Sequence, residues 1–76
     1  MNRIVVVDRV MTEDGDFVEL THNSAQQGRV YRVEIEMGFI HWNEWYTTLD
    51  GELNARLARD KFIELKAKFI ERKEMA

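Results

Sequence analysis

Apolar residues in this chain recur with a period of two as far as Thr47 and with a period of about 3.6 from Ala55 to Phe69. That switch confines the chain to a sheet followed by one helix. The charge changes at the same place. Residues 1–49 hold four Arg and eight acids, while residues 50–76 hold seven Lys or Arg and six acids. The sheet part is therefore −4 and the helix part +1, and every Lys lies at or after Lys61. With 76 residues the reading is a single domain, residues 1–76, with the sheet over about 3–47 and the helix over about 49–73.

Within the sheet part, Ile4, Val5, Val6 and Val7 form a β-branched run of the kind found in strands covered on both faces, so a central strand is expected there. Glu13-Asp14-Gly15-Asp16 supplies hairpin chemistry, because Asp-Gly accepts positive φ angles, and Phe17 to His22 continues as a second strand. Asn23 to Gly28 reads as a polar loop. From Val30 to Met37 the alternation is clean, with Tyr31, Val33, Ile35 and Met37 on one face and Arg32, Glu34 and Glu36 on the other. Gly38 permits a turn, and Phe39 to Thr47 returns as a fourth strand. Its faces stay open: Ile40, Trp42 and Tyr46, with Glu44 intruding, stand against Phe39, His41, Asn43 and Trp45, and a bulge or turn at Asn43-Glu44 would change that division. The fold class is α+β: an antiparallel meander of about four strands with one C-terminal helix on one face.

Thr47 or Thr48 is the expected helix cap, with Asp50 and Glu52 in the first turn at the positive end of the dipole. At 100° per residue, Ala55, Ala58, Phe62, Leu65 and Phe69 form the core stripe. Lys61, Lys68 and Arg72 flank it on one side, and Arg59, Lys66 and Lys73 on the other. Ile63, Ala67 and Ile70 form a second apolar line about 100° away, a candidate self-association surface for a homodimer.

The chemistry-bearing motifs are missing. There is no Walker loop, GxGxxG, nucleophile elbow, EF-hand or HExxH, and zero Cys rules out disulfides, thiol nucleophiles and zinc ribbons. His22 and His41 lack metal-ligand spacing and read as surface or hydrogen-bonded strand residues. The expectation is no catalytic residue, no metal and no cofactor. No apolar run reaches the roughly 20 residues that span a bilayer, so neither a membrane span nor a signal peptide is expected, and the location read from the chain is the cytoplasm. The best candidates for a protein-binding surface are Trp42 and Trp45 as anchors, with Glu34, Glu36 and Glu44 as an acidic surround for Lys or Arg of a partner. A self-associating structural subunit is one alternative, and a small nucleic-acid-binding accessory protein is the other. It is weakened by the net acidity of the sheet part and by the absence of the basic and glycine pattern of RNP motifs.

A 76-residue acidic sheet-and-helix domain without Cys, ending in a charged helix such as Ala55-Arg56-Leu57-Ala58-Arg59-Asp60-Lys61-Phe62, resembles the small anti-defence proteins of bacteriophages and mobile elements, anti-CRISPR proteins among them. The resemblance implies an inhibitor acting in the host cytoplasm by stoichiometric binding to a larger protein or ribonucleoprotein complex, with acidic residues occupying a surface meant for nucleic acid. A net charge of −3 is modest for a DNA mimic, which favours blocking by ordinary protein contact.

Overall fold

A computed structural model describes residues 4–23 and 30–75. Strands β1 (Ile4–Met11), β2 (Phe17–Asn23), β3 (Val30–Met37) and β4 (Ile40–Tyr46) form one antiparallel sheet in the order β1-β2-β3-β4, and helix α1 (Gly51–Met75) lies across one face. This is the α+β meander that the periodicity dictates. Asn23 ends β2 rather than opening a loop. Residues 24–28, the rest of that expected loop, lie outside the described residues.

Each turn follows from its residues. Gly15 carries φ +92° inside a turn closed by Thr12 N donating to Asp16 O at 2.9 Å and Gly15 N donating to Thr12 O at 3.1 Å. Gly38, at φ +61°, opens the two-residue connection between the paired Met37 and Ile40. Positive φ is what tight hairpins require there, and glycine adopts it without a Cβ clash.

One face of the sheet meets the helix. Val18 and Leu20 of β2 and Val33 and Ile35 of β3 are buried against Ala58, Phe62 and Phe69 of α1, with Val10, Tyr31, Met37, Tyr46 and Leu65 packed around them. The helix sits over β3, β2 and β4 and leaves β1 largely uncovered. Strand β1 is thus an edge strand, not a central one, and Ile4, Val5, Val6 and Val7 are 59, 52, 43 and 40% exposed. Four strands at about 4.8 Å span more than a helix about 10 Å across can shelter.

Asp50, rather than Thr47 or Thr48, caps α1. Its Oδ1 accepts from Glu52 N and Leu53 N, both at 3.1 Å. Thr48 is engaged elsewhere, with Asn54, which is fully buried. Asn54 Oδ1 accepts from Thr48 N at 3.0 Å and from Thr48 Oγ1 at 2.6 Å, while Asn54 Nδ2 donates to Thr48 O at 2.9 Å. This clamp fixes how the chain leaves β4 and enters α1.

The far end of α1 is clasped to the β1–β2 turn. Lys73 Nζ pairs with Asp16 and, at 3.3 Å, with Asp14, and Asp16 Oδ2 also accepts from Gly38 N at 3.2 Å. The Thr12 hydroxyl and then Lys73 hold the Asp14 carboxyl below its ordinary value of 3.8. The Asp16 carboxylate chiefly holds Lys73 above its ordinary 10.5. A lowered carboxyl stabilises the fold above 3.8 and loses that contribution as pH falls through the lowered value; a raised ammonium stabilises below 10.5 and loses it as pH climbs through the raised value. The clasp therefore works fully at neutral pH. Thermal melts of Lys73→Ala against wild type should differ at neutral pH and converge in strong acid, and a difference independent of pH would show that the alkyl stem, not the charge, holds the helix end.

Candidate protein interface on the free edge of the sheet

Strand β4 is the second free edge. Among the described residues it pairs with β3 alone, in an unbroken register from Tyr31↔Tyr46 to Met37↔Ile40. Alternation along it sends Trp42 and Glu44 to the helix side, opposite Ile35 and Val33, and His41, Asn43 and Trp45 to the uncovered side, opposite Glu36, Glu34 and Arg32. The five candidate binding residues are therefore divided between two faces. Glu34, Glu36 and Trp45 share the open face. Trp42 and Glu44 line the margin between β4 and α1, so Glu44 does not join the Glu34–Glu36 acidic patch.

On the open face the charges are mutually engaged. Glu19 and Glu34 stand directly opposite one another on β2 and β3, an arrangement that would repel if left alone. Arg9 on β1 reaches Glu19 Oε2 at 2.6 Å, while Arg32 Nη2 and His41 Nε2 approach Glu34 at 3.4 and 2.7 Å. The result is a ladder across all four strands, with Glu19 and Glu34 largely occupied by neighbours. Glu36 is the exposed acid of β3. Trp45, 49% exposed, lies under the Arg32 guanidinium at 5.2 Å from its ring centroid. Such a stack holds the ring in one orientation and leaves its other surface for a partner.

On the helix side, Trp42 is 37% exposed with Lys61 Nζ 5.9 Å from its ring centroid. Lys61 is held in turn by Glu64 at 2.7 Å, which raises the lysine above its ordinary value. Ile35, Met37, Ile40, Trp42 and Leu65 form the apolar lining of an open groove of about 440 Å³, rimmed by Lys61, Glu64 and Lys68. Beside it the Tyr46 hydroxyl donates to Glu44 Oε2 at 3.2 Å. Burial first, and the Glu44 charge second, push the Tyr46 phenol up to about 12.

Two exposed anchors escaped the sequence reading. Phe39 at the tip of the β3–β4 turn and Leu49 before α1 are almost wholly in water, at 109 and 96%. The signal was available for Phe39, since the side chain after a turn glycine has no strand neighbour to cover it. Ile63 and Ile70 are 56 and 38% exposed, and Ala67 between them is exposed as well. His22 stacks on Tyr31 with centroids 4.6 Å apart. Among the described residues, no group of three or more His, Asp or Glu is placed to hold a metal ion, and no helix is long and apolar enough to cross a membrane.

Comparison of the chain with protein-family models, with curated proteins and with solved structures gives no significant match.

Proposed function

We propose that this protein is a non-enzymatic binding module that blocks a larger protein or ribonucleoprotein by seating the β4 edge against it. In its most specific form the proposal is an anti-CRISPR-like inhibitor made by a phage or mobile element and acting in the host cytoplasm. The observation that supports it is the pair of tryptophans on opposite faces of one edge strand, each fixed by a cation, Trp45 by Arg32 and Trp42 by Lys61. A partner strand or loop laid along β4 meets main-chain hydrogen-bonding groups between two aromatic anchors, the combination that strand addition uses for affinity and for selectivity. Glu36 and Glu44, one on each face, suit a basic partner segment.

Nucleic-acid binding by stacking is the competing reading. Arg32 already covers one surface of Trp45, and the exposed acid Glu36 on the same open face repels phosphate.

The test is affinity capture on the purified protein, followed by titration of the captured complex with Trp45→Ala and Trp42→Ala. Both side chains are partly exposed, so the fold should survive their loss, and each truncation should weaken binding at least about 30-fold if it removes a hot-spot anchor. Unchanged affinity in both variants, or steeply salt-dependent binding of an oligonucleotide, would sink the reading.

A further inference from the structure

We infer that the partner segment seated along β4 is an extended peptide of defined polarity. It runs antiparallel to β4, with a basic residue opposite Glu44, apolar residues opposite Trp42 and Ile40, and an acidic residue beside Lys68. The inference rests on the β4-edge reading and adds to it the direction and side-chain pattern of the partner.

The main chain of β4 sets which partner side chains come close. The β3–β4 turn has two residues, so Met37 and Ile40 exchange both of their main-chain hydrogen bonds, and the alternation that follows commits Trp42, Glu44 and Tyr46 to β3 in the same way. The N–H and C=O groups of His41, Asn43 and Trp45 consequently point off the edge. An antiparallel strand bonds to those three residues, and antiparallel pairing is the more stable of the two ladders. Its residues opposite Ile40, Trp42 and Glu44 then stand in non-hydrogen-bonded pairs, where facing side chains approach most closely. All three of these positions lie on the helix side.

On that side the margin between β4 and α1 is a trough of adjoining cavities. The apolar groove around Trp42 is the middle one. Toward Tyr46 it shares Lys61 and Glu64 with a cavity of about 520 Å³ that Glu44, Tyr46, Leu57 and Asp60 complete. Lys61 is bound to Glu64 at 2.7 Å, so the negative charge of Glu44 and Asp60 prevails at this end. Toward the β3–β4 turn the groove shares Met37 and Lys68 with a cavity of about 270 Å³ that Glu71 and Arg72 complete. Positive charge prevails here, because the nearby Asp14 and Asp16 are taken up by Lys73. Strand β4 therefore runs from a basic end to an acidic end. An antiparallel strand meets Glu44 first, then Trp42 and Ile40, and Lys68 last, which calls for base, apolar, apolar and acid at alternate positions. A uniformly basic or uniformly acidic segment would be repelled at one end.

The probe is the synthetic peptide Arg-Thr-Val-Thr-Val-Thr-Glu, blocked at both termini and titrated into the full chain while amide chemical shifts are followed. One control carries Gln at both ends, and a second has the two charges exchanged. Shifts should concentrate on His41, Asn43 and Trp45, and the probe should bind about fivefold more tightly than either control. Glu44→Gln should cost the probe about threefold and leave the Gln peptide unchanged, and Lys68→Gln should do the same through the other end. Both side chains are exposed, so the variants should fold as wild type does. No binding of the probe at about 1 mM, or either control binding as tightly as the probe, would overturn the inference. Trp45 lies outside the trough, so the effect of Trp45→Ala on the captured complex reports on the β4 edge even where the peptide pattern fails.

Discussion

Phe62→Ala should abolish cooperative folding at physiological temperature. Phe62 is 1% exposed and sits among Val18, Leu20, Val33, Ile35, Ala58 and Phe69, the residues that join helix to sheet. Truncating a buried phenylalanine removes its transfer free energy and leaves a cavity, together about 3–5 kcal/mol. At roughly 0.05–0.15 kcal/mol per residue, a chain of 76 residues has on the order of 4–11 kcal/mol in all, so one side chain carries much of the total. Thermal melts should fall by about 15 °C or more. Phe39→Ala removes the same atoms from a side chain that touches almost nothing, and its melting curve should overlie wild type. If the two variants melt alike, the helix is not the lid of the core.

Element type was legible because each segment's period is local. The alternation Tyr31, Val33, Ile35, Met37 and the stripe Ala58, Phe62, Leu65, Phe69 arise from backbone geometry alone, and both meet in the core as their spacing requires. The position of an element in the sheet is a different quantity. Ile4–Val7 reads as a doubly covered strand because continuous β-branched residues suit burial on both faces, yet strand order and the width of a single helix place it at an uncovered edge. The same pattern also suits a strand awaiting another strand, and nothing local separates the two. The cap shows a similar competition. Thr48 and Asp50 are both good caps, and Asp50 takes the role because Thr48 is held by Asn54, six residues on, a contact that no reading of adjacent residues exposes.

The binding residues were legible as types and not as a surface. Trp42 and Trp45 stand out by size, but three positions along a strand place them on opposite faces, and Glu44 follows Trp42 rather than Glu34. The apparent acidity of β3 also dissolves on contact, since Glu34 is paired by Arg32, two residues back on its own strand, and by His41 across the turn on β4. The exposed charge that remains for a partner is smaller than the count of acids suggests, which argues for shape and aromatic anchoring over electrostatic mimicry.

Asn54→Ala should cost about 2 kcal/mol, more than any exposed polar substitution in the chain. The amide accepts two hydrogen bonds from Thr48 and returns one to its carbonyl, so its loss strips partners from the main chain of the β4–α1 link on both the donor and the acceptor side. Water can reach Thr48 and recover part of the deficit, which keeps the cost below that of a fully sealed network. The melting temperature should drop by roughly 10 °C. Amide exchange should quicken first at Thr48 and through the opening turn of α1, ahead of the core strands. Asn54→Asp separates hydrogen bonding from shape: it keeps the acceptor but loses the donor to Thr48 O and buries a carboxylate, so it should be worse than alanine at neutral pH and recover on acidification as the carboxyl protonates. Equal stability of the aspartate and wild-type proteins at neutral pH would mean that water, and not Asn54, satisfies the link. Because that link joins β4 to α1, a loosened Asn54 variant should also widen the groove around Trp42 and weaken partner binding there.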